Sequence, residues 1–278
     1  MRFAVFLLML ALAPLPGRAD VLEKILDRGS VRLGVRSDAP PFSYFDAKGQ
    51  PAGLAVRLCH AVVELIARHH RKEPLKISHV RVNARERFPA LQSGRTDLHC
   101  GPASATLSRR ETLDFSLLYF VDGAAAAVRP GGFESVFTKR TGRFGYLGGT
   151  TTEAVVKDLI QRNDLKAETK SFDNHPDGLR ALNKGELDIY FGDQAILVFQ
   201  ISRLGLQKRI STIEETFSFE PYALVMKRGE SRLRLAVDRA LSTIYERGMI
   251  YSMIARELGE FQISNTAKSV YEIVGMPE

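Results

Sequence analysis

The sequence predicts an α/β chain of two units facing each other across a cleft. Three observations carry this: strand-like and helix-like stretches alternate, the alternation restarts after Gly131-Gly132, and 278 residues give each half enough chain for a core. At 45% hydrophobic and 26% charged, the composition is that of a globular protein, which excludes disordered, collagen-like and disulfide-scaffold chains.

Met1 and Arg2 precede eleven apolar residues, Phe3 to Ala13, which are too few for the roughly 20 that span a bilayer. Pro14, Pro16 and Gly17 stop that run, and Gly17-Arg18-Ala19 puts small residues where signal peptidase reads. Residues 1–19 therefore read as a secretory signal peptide cut after Ala19, with the periplasm as destination. Cutting there takes Arg2 and Arg18 off the net charge of +7. What remains is modest, with bases and acids interspersed, so nucleic acid is not expected as a partner. Cys59 and Cys100 are the only cysteines. Either they pair in an oxidising compartment, closing a loop of about forty residues, or both are buried thiols; the sequence leaves both open.

Asp20 starts a short helix, Val21 to Asp27, and Gly29 stops it. Val31 to Val35 is a strand, and Leu54, Leu58, Ala61, Val62, Leu65 and Ile66 recur at the helical period. A strand at Lys76 to Val82, a helix at Arg85 to Gln92, a strand at Thr96 to His99 and another near Phe115 to Val121 complete the first unit. The second runs through strands at Phe144 to Leu147, Ala167 to Ser171 and Leu187 to Phe191, with helices at Thr151 to Gln161, Pro176 to Asn183 and Gln194 to Arg203. Tyr222 to Met226 is a last strand and Leu233 to Leu258 one long helical stretch. The β-α-β order argues for parallel sheets, whose ligands bind at the carboxyl ends of the strands. The loops after Val35, Cys100, Leu147 and Phe191 are thus the candidate site.

Those loops hold Arg36, Arg85 and Arg87, Ser104 and Arg109, the turn Gly148 to Thr152, and Asp193. A Gly- and Thr-rich turn opening a helix offers free N–H groups and a positive dipole end, which suits an anion. Arginines, a helix N-terminus and one acid in one plane describe a receptor for a small anion that also carries an ammonium group, an amino acid. Taken singly, each has a plainer reading: Thr151 and Asp193 as helix caps, Arg36 as a charge paired with an acid. The six His show no metal-ligand spacing, and no cofactor is expected.

From Val21 to about Gly259 the chain resembles bacterial periplasmic solute-binding proteins of amino-acid ABC transporters (extracellular solute-binding proteins of family 3), and most of all their glutamate/aspartate-binding members. The matching stretches are Pro41 to Asp46, Arg87 to Gly94, Asp97 to Gly101, Arg109 ahead of Asp114-Phe115-Ser116, Gly149 to Glu153, His175 before Asp177, and Asp193 before Ala195. The resemblance implies the type II fold, two lobes of mixed sheet flanked by helices. Lobe 1 would comprise residues 20–123 and 223–262, lobe 2 residues 124–222, and a tail residues 263–278. It implies a non-enzymatic, monomeric receptor that delivers an acidic amino acid or related dicarboxylate to an ABC permease. Arg109 and Ser104 would hold the α-carboxylate and Asp193 the ammonium; Arg36, Arg87 and His175 would take the distal carboxylate, with Thr151 contributing from lobe 2. Ala84, Pro102 and Ala103 depart from that group, removing polar groups from the lobe 1 side. Two rivals share the architecture: a dehydratase, for which Glu153 is the acid to watch, and an accessory protein of a periplasmic dehydrogenase or sensor.

Overall fold

A computed structural model describes residues 20–259 and 265–277; the signal segment read in residues 1–19 lies outside them. Two five-stranded sheets organise the chain. The first runs Lys76–Val82, Ser30–Arg36, Leu98–Cys100, Glu220–Lys227, Leu113–Asp122, and the second Lys166–Phe172, Thr141–Leu147, Ile189–Asp193, Ala124–Val128, Ser211–Thr212. In each, four strands run one way and one runs against them, Glu220–Lys227 in the first and Ala124–Val128 in the second, so the sheets are mixed where β-α-β order alone argued for parallel ones. The antiparallel strands flank the crossings between lobes, and a chain that crosses and returns must reverse direction in the sheet.

Local chemistry explains the elements that position the cleft. Asp20 accepts from the Glu23 N–H at the start of the helix Val21–Arg28, and Gly29, at φ 63°, ends it. The helix Leu54–His69 buries Leu54, Leu58, Val62 and Ile66 against the first sheet. It is entered through Gly53 at φ 110°, where a Cβ would lie 2.4 Å from the Phe42 carbonyl, so only glycine fits. Cys59 on this helix and Cys100 at the end of its strand form a disulfide, Cα atoms 6.0 Å apart, which decides the question the sequence left open.

The second lobe has a core on each face of its sheet: Leu179, Leu182, Tyr190 and Leu197 on one, Phe144, Val156, Ile189 and Phe191 on the other. Ile196 of this lobe packs into the first lobe's core. The two crossings lie side by side. Ala124 receives an N–H bond from Phe217 at its carbonyl (2.7 Å), and a Cβ on Gly123 would come 2.7 Å from the Ser218 carbonyl.

The expected long helix, Leu233 to Leu258, is two: Ser231–Glu246 and Met249–Leu258, separated by Gly248 at φ 65°. The C-terminal segment carries a helix, Asn265–Val274, anchored by the Tyr271 hydroxyl on the Tyr119 carbonyl at 2.8 Å. No helix among the described residues is long and apolar enough to cross a membrane.

Candidate functional site

Three arginines converge where the sheets face each other. Arg36 ends its strand and is 2% exposed. Its guanidinium forks onto Asp38, Nε to Oδ1 at 3.0 Å and Nη2 to Oδ2 at 3.1 Å, so a buried carboxylate compensates much of its charge. Arg87 opens the helix Arg87–Gln92, lies over the Phe88 ring and is also 2% exposed. It donates to the Ala84 carbonyl and, across the cleft, to the Gly149 carbonyl at 3.0 Å. Arg109 sits on the short helix Leu107–Arg110, donates to the Ser104 carbonyl at 3.0 Å and lies 5.2 Å from the Phe88 ring centre.

The plainer readings of Thr151 and Asp193 fail. Each occupies an N-cap position, at Thr152–Arg162 and Gln194–Arg203, yet neither side chain caps its helix. Thr151 donates its hydroxyl proton to Glu220 at 2.8 Å, and Asp193 accepts from the Tyr222 hydroxyl. A side chain released from capping is available to whatever the cleft holds. The Gly148-Gly149 turn admits the Arg85 side chain of lobe 1, which a Cβ on Gly148 would strike.

His175, buried at the start of the helix His175–Asn183, has Nδ1 3.3 Å from the Tyr190 hydroxyl. Burial lowers it to about 4, so at neutral pH it offers a hydrogen bond without a charge. Ala84 and Ala103 are buried, Ala103 among Leu91, Leu113, Phe115 and Val225, so these departures extend the core towards the site. Glu153 points away from proton-transfer chemistry: it pairs with Lys157 at 2.8 Å along a partly exposed helix face.

Sequence reasoning named Asp193 but missed the other acids of the site. Asp38, Asp122 and Glu220 all lie in or beside the cleft, with Tyr222 bridging Asp193 and Asp122. Asp122 ends a strand and was within reach of the carboxyl-end rule. Glu220 begins one, but that strand is antiparallel to its neighbours, so its start lands on the same edge as their ends. Burial raises Asp193 to about 6, with the Glu220 charge adding, and Asp122 to about 7, with the Asp193 charge adding.

Both acids hold protons more tightly folded than unfolded, so their contribution is full at low pH and is lost as pH rises through about 6 to 7. The melting temperature without ligand should therefore fall from about pH 6.5 to pH 8, above the window in which the lowered pKa of buried His175 acts in the opposite direction. Asp122→Asn should flatten that slope, and an unaltered slope in the variant would show that the pair does not carry it.

The sequence pattern of the bacterial extracellular solute-binding proteins, family 3, matches residues 31–260. The glutamate/aspartate import solute-binding protein of Escherichia coli (strain K12) is 23% identical over 234 residues, covering 84% of this chain and 78% of that protein. The general L-amino acid-binding periplasmic protein AapJ of Rhizobium johnstonii is 29% identical over 227 residues, covering 81% and 65%. Among solved structures, an ancestral arginine-binding protein bound to arginine superposes with a TM-score of 0.73 at 26% identity, covering 84% of this chain and 99% of that one.

Proposed function

Since the chain belongs to the bacterial extracellular solute-binding proteins of family 3, a family of amino-acid ABC transport receptors rather than enzymes, we propose that it captures an acidic amino acid, glutamate or aspartate, in the periplasm and hands it to an ABC permease. Convergence of three buried or half-buried guanidiniums, Arg36, Arg87 and Arg109, in one interlobe cleft carries this reading. A dicarboxylic amino acid brings two negative charges, and no other side chain matches the planar, two-pronged geometry of a carboxylate as arginine does.

In this reading Arg109 holds the α-carboxylate and Asp193 the ammonium. Arg87 takes the distal carboxylate with Arg36 behind it and neutral His175 as hydrogen-bond partner, while Ser104 and Thr151 line the wall from opposite lobes. Closure follows because ligand contacts come from both lobes at once. Residues 1–19 serve as the export signal, and the mature receptor acts as a monomer.

One observation favours a broader specificity as second reading: Asp38 already compensates Arg36, which leaves less uncompensated positive charge for a distal carboxylate. A thermal-shift screen separates the two. A native-state ligand at about a hundredfold over Kd stabilises by near 2.7 kcal/mol. Glutamate or aspartate is expected to shift the midpoint well beyond glutamine or asparagine, and Arg36→Ala with Arg87→Ala should remove that advantage. Equal shifts for acid and amide would establish the broader receptor. Silence from every amino acid, with a partner retained on pull-down, would favour the accessory-protein role.

A further inference from the structure

Three hydroxyls of the cleft give their protons to one carboxylate. Thr151 Oγ1 donates to Glu220 Oε2 at 2.8 Å, Ser218 Oγ to Oε1 at 2.6 Å, and Ser104 Oγ to Oε2. Glu220 is 2% exposed. Its donors come from lobe 1, lobe 2 and the returning crossing, so it sits where every part of the cleft meets. Its charge also acts on Arg109 and Asp193, one on the carboxylate side and one on the ammonium side of the proposed ligand.

A serine or threonine hydroxyl has a single proton and two lone pairs. Once that proton is committed to a carboxylate, only acceptor capacity is left. Ser218 uses that capacity internally, receiving the Ala124 N–H at 3.1 Å. Ser104 and Thr151 keep theirs for the cleft. We propose that Glu220 is a specificity-determining residue that sets the polarity of this wall: it turns Ser104 and Thr151 into acceptors, which receive N–H bonds from the ligand ammonium beside Asp193, and it leaves the α-carboxylate to Arg109. The inference rests on the amino-acid receptor reading and narrows it, because a wall of acceptors discriminates against a dicarboxylate that lacks the amine. An unpaired acceptor set facing a carbonyl oxygen is the kind of mismatch that sites use to reject near-isosteres.

The test measures Kd by calorimetry on the mature chain for an amino acid and the 2-oxo acid of the same skeleton: L-glutamate with 2-oxoglutarate, and L-alanine with pyruvate as the neutral pair. The wild type should favour the amino acid strongly. Glu220→Gln keeps the shape but can donate to the hydroxyls and free their protons. It should weaken the amino acid at least tenfold and narrow its advantage over the oxo acid by at least as much. An unchanged ratio overturns the proposal, as does equal tightening of both ligands, which would make Glu220 a mere internal competitor. Should Glu220→Gln fail to fold, Ser104→Ala with Thr151→Val removes the acceptors directly: the amino acid should weaken while the oxo acid does not, and equal losses overturn the proposal. A wild type that binds no amino acid overturns the receptor reading itself, an outcome distinct from a wild type that discriminates and a variant that discriminates equally.

Discussion

Arg109→Ala is expected to raise the Kd for the amino acid by on the order of thirtyfold to several thousandfold, the equivalent of about 2–5 kcal/mol, while the ligand-free protein melts close to the wild type. The affinity loss follows from desolvation. Arg109 is half-buried, and burial lowers its pKa, with the Glu220 and Asp193 charges opposing that shift. A carboxylate bound there without its guanidinium would sit close to two like charges and lack a counterion. The fold should survive because the short helix Leu107–Arg110 is held by its cap: Thr106 Oγ1 accepts from the Arg109 backbone N–H, a bond indifferent to the side chain. Only the donation to the Ser104 carbonyl and the packing on Phe88 are lost. Arg109→Lys is expected to restore part of the charge term and little of the affinity, since an ammonium cannot fork onto two oxygens. Calorimetry and a thermal melt on both variants check this, and wild-type affinity in Arg109→Ala would remove the residue from the site.

The basic half of that site was legible because guanidiniums on loops after strands stand out against a simple topological rule. Arg36 closes its strand, and Arg87 and Arg109 lie on short helices that follow strands. The acids other than Asp193 were hidden for two physical reasons. Asp38 and Asp122 are ordinary loop and strand-end acids until folding buries them, and burial is a property of the tertiary structure. Glu220 reaches the cleft only because its strand runs antiparallel in the first sheet, and strand direction is set by how the chain returns between lobes. The same limit hid the strand Ala124–Val128. Four alanines carry little strand propensity, yet the segment is fixed by pairing with Ile189–Asp193 on one side and Ser211–Thr212 on the other. Helices were easier. Asp20 and Gly29 bracket the first as capping chemistry demands, whereas Gly248 inside an apolar-periodic stretch marked a break that periodicity alone passed over.

Removing the disulfide should cost stability far more than it costs binding. Cys59→Ser with Cys100→Ser opens a loop of sequence separation 41, and the chain-entropy relation puts the loss at about 3–4 kcal/mol. For a chain of this size that corresponds to a fall of roughly 10 °C in melting temperature. Both sulfurs are fully buried, within a core that includes Leu33, Leu58 and Leu98, so a hydroxyl in either place adds a buried polar group to the entropic loss. The consequence for the cleft is indirect. Cys100 is followed by Gly101, Pro102, Ala103 and Ser104, and Ser104 is held independently by its bridge to Tyr222 and its bond to Glu220. The site end of that segment therefore keeps its anchors when the sulfur end loses its own. Saturating amino acid should raise the variant's melting temperature by about as much as it raises that of the wild type. A fall of only a degree or two would show that packing of the helix Leu54–His69 on the first sheet suffices without the covalent tie. A fall accompanied by lost binding would show that the geometry of the Gly101 to Ser104 segment is set from the disulfide end, and would shift the search for affinity determinants from Arg109 towards Cys100.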